Sequence, residues 1–328
     1  MGSFTELRDA VSRDRTALRR DFFAALAEQV PQARGIFSPG ASEVPASLID
    51  ALLWLLRTSP EGVLRPDTTQ RLRAFALDFR RFGFPAAAYE DFAAAAARTL
   101  APLGGSAAET LLDSAAEVMR REAEAADVAG IPAATAALVT SVDPRGPVTV
   151  VRLEAGMGLG YQPGQYVPAM AAGHQGEWHN LAPALPANPF GQLEFHVTDE
   201  FSPQVGGYVT LGAARGPELD LDDDAGLLIV AEGTGAAAAK AIVFALAQRS
   251  HRPDTHLVLR GDSYDDQVFS ALAELHDWFR VSRAPLSEEL ARGRRVVVCG
   301  ASTRVGEIAD GLGVPAVRIA PDAPVSWD

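Results

Sequence analysis

Apolar positions recur at helical spacing over the first 130 residues and then give way to short alternating runs. From Thr5 toward Phe22 and Phe23, and again over 45–58, 67–82, 86–101 and 106–128, the spacing predicts helices. Ser3-Phe-Thr-Glu6 and Ser106-Ala-Ala-Glu109 read as capping boxes. Pro31, Ser38-Pro-Gly40, Gly104-Gly105 and Gly130-Ile-Pro132 interrupt the pattern. From about residue 134 the period becomes two, and 136–141, 148–153, 166–170, 192–197 and 208–211 read as strands between Pro/Gly turns. These predict a small antiparallel β-barrel. Over 226–320, strands at 226–231, 255–260, 279–283, 295–299 and 315–319 alternate with helices at 236–248, 266–277, 286–292 and 303–311. That order predicts an α/β doubly wound parallel sheet. The expected fold is multidomain α + β: an all-α domain over 1–132, a barrel over 133–222 and an α/β domain over 223–328.

Composition changes this picture little. Hydrophobic residues make up 48% and charged residues 22%, and no run reaches the roughly 18 apolar residues of a membrane span. The N-terminus has no basic and apolar export pattern, so a cytoplasmic protein is expected. Cys299 is the single cysteine, which excludes an internal disulfide and fits a reducing compartment. Net charge is −13: residues 1–130 carry 15 Arg/Lys against 18 Asp/Glu, and the rest 14 against 24. Without a basic stripe, neither nucleic acid nor an anionic membrane is an expected partner.

Three stretches carry candidate chemistry. Gly226-Leu-Leu-Ile-Val-Ala231 runs into Glu232-Gly-Thr-Gly235 and an alanine-rich helix, the layout of a strand, a tight turn and a helix N-terminus. Arg295-Val-Val-Val-Cys-Gly300 is a second strand-to-glycine turn, and Tyr161-Gln-Pro-Gly-Gln-Tyr166 closes a β-rich segment. Together they resemble the reductase half of the flavohemoglobin and ferredoxin-reductase-like family. Phe22-Phe23, Ile36-Phe37 and Asp78-Phe-Arg-Arg-Phe-Gly83 leading to Tyr89 resemble the globin domain of the same family. The resemblance implies a globin-like domain fused to an FAD-type barrel and an NAD(P)-binding domain. It places Tyr161, Gln165, Tyr166, His179, Asn180 and Leu181 at the flavin, Gly233, Thr234 and Gly235 at the nucleotide phosphates, and Cys299 and Gly300 beside the nicotinamide. Cys299 and His179 are the candidate catalytic residues, though Cys299 reads equally as a small buried residue ending a core strand; no metal site is expected.

Several residues depart from that pattern. Phe79 stands at the proximal histidine position and Phe23 at the distal tyrosine. The six histidines begin at His174, so the helical domain offers iron only Tyr89 and Met119 besides Met1. Haem is not expected there, and Phe23, Phe37, Phe79 and Phe82 read as ordinary core. Glu177 falls at the arginine that would clamp the FAD pyrophosphate, His179 at the tyrosine on the flavin ring, and Asn180 at a serine. A carboxylate about 4 Å from a phosphate repels it by roughly 4 kcal/mol at an effective dielectric near 20. The segment Thr198–Gln204 is too short for a phosphate-binding helix and carries two acids. FAD is therefore expected weak or absent, with FMN, which lacks the pyrophosphate, less affected.

The nucleotide half keeps more of the pattern, so NAD(P)H is the expected nucleotide. Arg260 and Ser263 are candidates for a 2′-phosphate, and Lys240, the only lysine, reads as a surface helix residue. His174, Glu177 and His179 share one loop and could serve as acid/base groups. Three functions stay open: an NAD(P)H-dependent flavin oxidoreductase with an unnamed electron acceptor, a degenerate reductase serving as a non-redox ligand-binding or scaffold protein, and an enzyme reusing the flavin cavity.

Overall fold

The computed structural model describes residues 4–31, 37, 40–261 and 264–323. Ser3 of the first capping box, Ile36 and Ser263 lie outside them. The chain divides into two compact units, the first ending at Ala134 and the second starting at Thr135.

The first unit is helical: α1 (Phe4–Arg13), α2 (Arg15–Gln29), α3 (Ala46–Thr58), α4 (Pro66–Phe79), α5 (Tyr89–Leu100) and α6 (Glu109–Val128). Ala93, Ala95 and Ala96 of α5 are buried; side chains this small let the helix pack closely against α2 and α6. Phe92 meets Phe22 at 5.2 Å and Phe84 at 5.8 Å between ring centroids, and Phe84 meets Tyr89 edge-on at 4.9 Å. The helix expected to run to residue 82 ends at Phe79; a 3-10 turn, Arg80–Phe82, follows and stops at Gly83, where φ is 74°. Arg80 is buried and donates to the Asp127 carboxylate (2.6 Å) and the Ile131 carbonyl (2.6 Å), fastening this turn to the end of α6. The second capping box does not form. Ser106 sits in a 3-10 turn, Gly105–Ala108, and Ala108 takes the cap position without a side-chain bond. The turn needs glycine at 105: a Cβ there would lie 2.6 Å from the Leu100 carbonyl oxygen.

The second unit holds two sheets. Strands β1 (Thr135–Arg145), β2 (Val148–Ala155), β3 (Val167–Ala171), β4 (His179–Leu181), β5 (Gln192–Val197) and β6 (Tyr208–Leu211) pair antiparallel in the order β4-β3-β6-β1-β2-β5. The barrel nearly closes, because Ala184 N–H donates to the Glu194 carbonyl (2.7 Å) and Pro183 bridges Phe195. Val139, Val151, Leu153, Val167, Phe195 and Leu211 fill it. An irregularity between Val139 and Ser141 shifts the β1 register, and the strand runs on to Arg145, beyond its expected end at 141.

The parallel sheet has the order β11-β10-β7-β8-β9, from β7 (Leu227–Glu232), β8 (Thr255–Arg260), β9 (Phe279–Ser282), β10 (Arg295–Cys299) and β11 (Ala316–Ile319). Helices α7 (Gly235–Ala247), α8 (Asp266–Leu275), α9 (Glu288–Ala291) and α10 (Ser302–Gly311) connect them. Barrel and sheet belong to one compact unit. Among the described residues, no helix is long and apolar enough to cross a membrane.

Candidate functional site

Strand order sets the site. The chain leaves β7 toward β8 on one side and returns to β10 on the other, so the carboxyl ends of β7 and β10 lie side by side at a topological switch point. Gly233 turns the chain there with φ 57°, and Gly235 opens α7. A cavity of about 490 Å³ lies at this crevice. The sheet side supplies Thr234, Gly235, Gly300 and Asp322, and the barrel side His179, Asn180, Leu181 and Glu200.

Of the residues expected at a cofactor, His179, Asn180, Leu181, Thr234, Gly235 and Gly300 line this cavity. Tyr161, Gln165, Tyr166, Gly233 and Cys299 do not. The Tyr161 hydroxyl is buried and donates to the Leu185 carbonyl (2.9 Å). Gln165 accepts from Gln162 N–H, and Tyr166 pairs with Arg215 across the barrel edge. These three hold the barrel together. Cys299 is wholly buried, and burial pushes its thiol up to about 12. In that state it is a packing residue and a poor nucleophile.

Gly235 also differs from its expected role. A Cβ on it would lie 2.6 Å from Gly300 N and closer still to the Cys299 carbonyl. The glycine is therefore required for α7 to pack on the end of β10. Glu177 sits in an exposed turn, its carboxylate 3.2 Å from His174 Nδ1, outside the cavity lining. In place of a phosphate helix, the Thr198–Gln204 segment folds inward: Phe201 is buried, and His179 meets its ring edge-on at 5.4 Å. Glu232, at the head of the glycine turn, accepts from Arg304 (2.9 Å) and lies 3.7 Å from Arg260, which draws that arginine toward itself.

Two features were not read from the sequence. Asp322 accepts from the N–H of Ser302 (2.9 Å) and from its hydroxyl (3.0 Å), so a carboxylate of the chain itself caps the N-terminus of α10. The same segment is tied across the crevice by Asn180, whose amide donates to the Pro321 carbonyl (3.0 Å). Neither contact leaves a local signal in sequence, because the partners are 20 and 141 positions apart. Among the described residues, the charged side chains of the lining are the Glu200 and Asp322 carboxylates, and no arginine or lysine lines it. The His196 ring, also at this wall, is fully buried and bonded to other residues.

In the helical unit, Phe79 stacks on Phe75 at 6.2 Å and tilts against Phe82 at 6.4 Å, while Phe23 meets Phe37 at 5.8 Å. The Tyr89 hydroxyl is buried without a hydrogen-bond partner, and burial raises its pKa, so it is held as the neutral phenol. Met119 packs against the same core. A neutral phenol and a thioether among phenylalanines make a donor set that does not suit haem iron.

No family model matches the chain, and a search of curated proteins finds no match in sequence. Among solved structures, the flavohemoglobin of Malassezia yamatoensis, determined with bound FAD and haem, is 13% identical. That match covers 96% of this chain and 98% of its own, with a TM-score of 0.67. A cytochrome P450 reductase from Amycolatopsis is 23% identical over 59% of this chain and 71% of its own, at 0.49. The flavohem-like FAD/NAD-binding domain of a Vibrio cholerae nitric oxide dioxygenase is 18% identical over 55% and 94%, at 0.44. The last two likenesses are too partial to carry argument. The first shows the architecture to be flavohemoglobin-like: a globin-type helical unit followed by an antiparallel barrel and a parallel sheet.

Proposed function

We propose that the chain is a ligand-binding protein on a flavohemoglobin-like scaffold, whose crevice takes a small planar molecule without a pyrophosphate and without redox turnover. The charge of the cavity carries this reading. A dinucleotide would bring two phosphates against Glu200 and Asp322, with no arginine or lysine among the described lining residues to offset them. Charge-assisted bonds from such cations are the usual source of phosphate affinity. The α10 N-terminus, a ready anion site in the bare backbone, is already capped by Asp322. These terms act together with the buried Cys299, which cannot reach a nicotinamide without repacking. FAD and NAD(P)H are therefore expected to bind weakly, haem not at all, and a neutral aromatic ring beside His179 more tightly.

Calorimetric titration of the purified protein with riboflavin, FMN, FAD, NADH and NADPH tests this. The expected order places uncharged riboflavin ahead of FMN and FMN ahead of FAD. Tight FAD binding, or reduction of bound flavin by either nicotinamide nucleotide, refutes it. A second reading, a working NAD(P)H-dependent flavin oxidoreductase, is favoured by one observation: the positive-φ turn at Gly233 is intact, and Thr234, Gly235 and Gly300 face the cavity. Flavin reduction in the same experiment is its signature.

A further inference from the structure

Glu194 and His196 alternate along β5 with Leu193, Phe195 and Val197, which fill the barrel, so their side chains point out of it. An outward strand face with these residues would ordinarily be wet. Here α7 and the segment before α8 cover it, and the side chains of His196, Asp265, Glu194 and Lys240 are 0, 1, 5 and 7% exposed.

Lys240 Nζ donates to Glu194 Oε1 at 2.7 Å and to Asp265 Oδ2 at 3.0 Å. His196 Nε2 lies 3.0 Å from the same Glu194 oxygen and 3.7 Å from the same Asp265 oxygen, and Nδ1 is 2.7 Å from the Tyr264 hydroxyl. Arg152 donates to the second Glu194 oxygen (2.9 Å), and Arg145 bridges Asp265 and Asp143, both at 2.9 Å. The cations Lys240, Arg145 and Arg152 match the carboxylates Glu194, Asp265 and Asp143 in number, which makes burial tolerable.

One oxygen of Glu194, one of Asp265 and one imidazole nitrogen lie within 4.8 Å of one another. Two carboxylates and an imidazole are a donor set for a divalent first-row metal. The ammonium of Lys240 stands at hydrogen-bond distance from both carboxylates, where such an ion would have to sit. A divalent ion and an ammonium could not share that space against their mutual repulsion. We infer that Glu194, His196 and Asp265 form a transition-metal site whose cation is supplied by the chain itself as the Lys240 ammonium, and that removing this amine opens the site to a divalent ion. The tethered cation thereby joins barrel to sheet without depending on metal supply.

The test titrates Co(II) into the full chain, reading visible d–d absorption and heat, for the native protein, Lys240→Ala, Lys240→Met and the double variant Lys240→Ala/His196→Ala. Lys240→Ala is expected to bind one Co(II) at least about tenfold more tightly than the native protein. The double variant should lose that gain, and Co(II) should raise the melting temperature of Lys240→Ala but not of the native protein. If Lys240→Ala folds only with Co(II) present, that supports the inference directly. Lys240→Met, which keeps the apolar stem, guards against collapse of the shorter side chain. Stoichiometric Co(II) binding by the native protein at these residues overturns the inference. So does a folded Lys240→Ala that binds no better than native, or failure of both single variants to fold even with Co(II).

Discussion

Replacing Gly235 with alanine separates two roles for the glycine turn. If the glycine exists to admit a pyrophosphate, the substitution removes nucleotide binding and leaves folding alone. The structure assigns it to packing: the added Cβ would stand 2.6 Å from Gly300 N and closer to the Cys299 carbonyl, all backbone atoms that cannot rotate away. Relief requires α7 to lift from β10 by roughly 1 Å, enough to forfeit a quarter to a half of the dispersion energy of each separated contact. The helix face involved is buried at Ala236, Ala238, Ala239, Ile242 and Val243, so the loss is spread along its length. Overpacking of this kind costs about 1–3 kcal/mol, and backbone obstruction argues for the upper end. Alanine recovers about 1 kcal/mol of helix propensity. The net loss is about 2 kcal/mol, a fall of about 4–8 °C in melting temperature for a unit of this size. Calorimetry of Gly235→Ala beside Gly306→Ala measures it. Gly306 lies inside α10 with nothing within 4 Å of its would-be Cβ, so that control should be neutral or up to about 1 kcal/mol more stable. A Gly235→Ala protein as stable as native refutes the packing argument.

Three further outcomes are expected. Cys299 should react with a disulfide reagent at pH 8 only after denaturation. Because its folded thiol titrates near 12, stability from the neutral thiol is full below the ordinary thiol range and falls as pH rises through 9 toward 12; comparison with Cys299→Ala isolates it. Glu194 has the opposite sign: its folded carboxyl is held low, so its contribution is full above the ordinary carboxyl range near 4.3 and is lost as pH falls below it. Melting curves from pH 6 to 3 should therefore drop more steeply for the native protein than for Glu194→Gln. Protein expressed with ample haem should show no stoichiometric Soret band, since Phe79, which the resemblance places at the iron-ligand position, packs against Phe75 and Phe82; a Soret band that vanishes in Tyr89→Phe would overturn that reading.

Much of the architecture was legible in local sequence, because its signals are local. The change of period near residue 134, the apolar strands ending in glycine turns, and the run of phenylalanines without histidine are properties of neighbouring positions. They gave the helical unit, the barrel and the parallel sheet in order; His179, Asn180, Leu181, Thr234, Gly235 and Gly300, placed at cofactors by the family resemblance, line one cavity. What failed depended on partners far along the chain. Lys240 reads as a surface lysine on a helix and is buried, because Glu194 and Asp265, 46 and 25 positions away, converge on its amine. Cys299 reads equally as a site residue or a core residue until the α7–β10 packing encloses it. Asp322 carries no motif and becomes the cap of α10 only when β11 brings the chain end back to the crevice. Sequence determined which segments could form each element, since periodicity and turn chemistry act within a few residues. Tertiary structure decided which charges became buried and what the cavity could hold, since desolvation and ion pairing depend on whatever the fold places within a few ångströms.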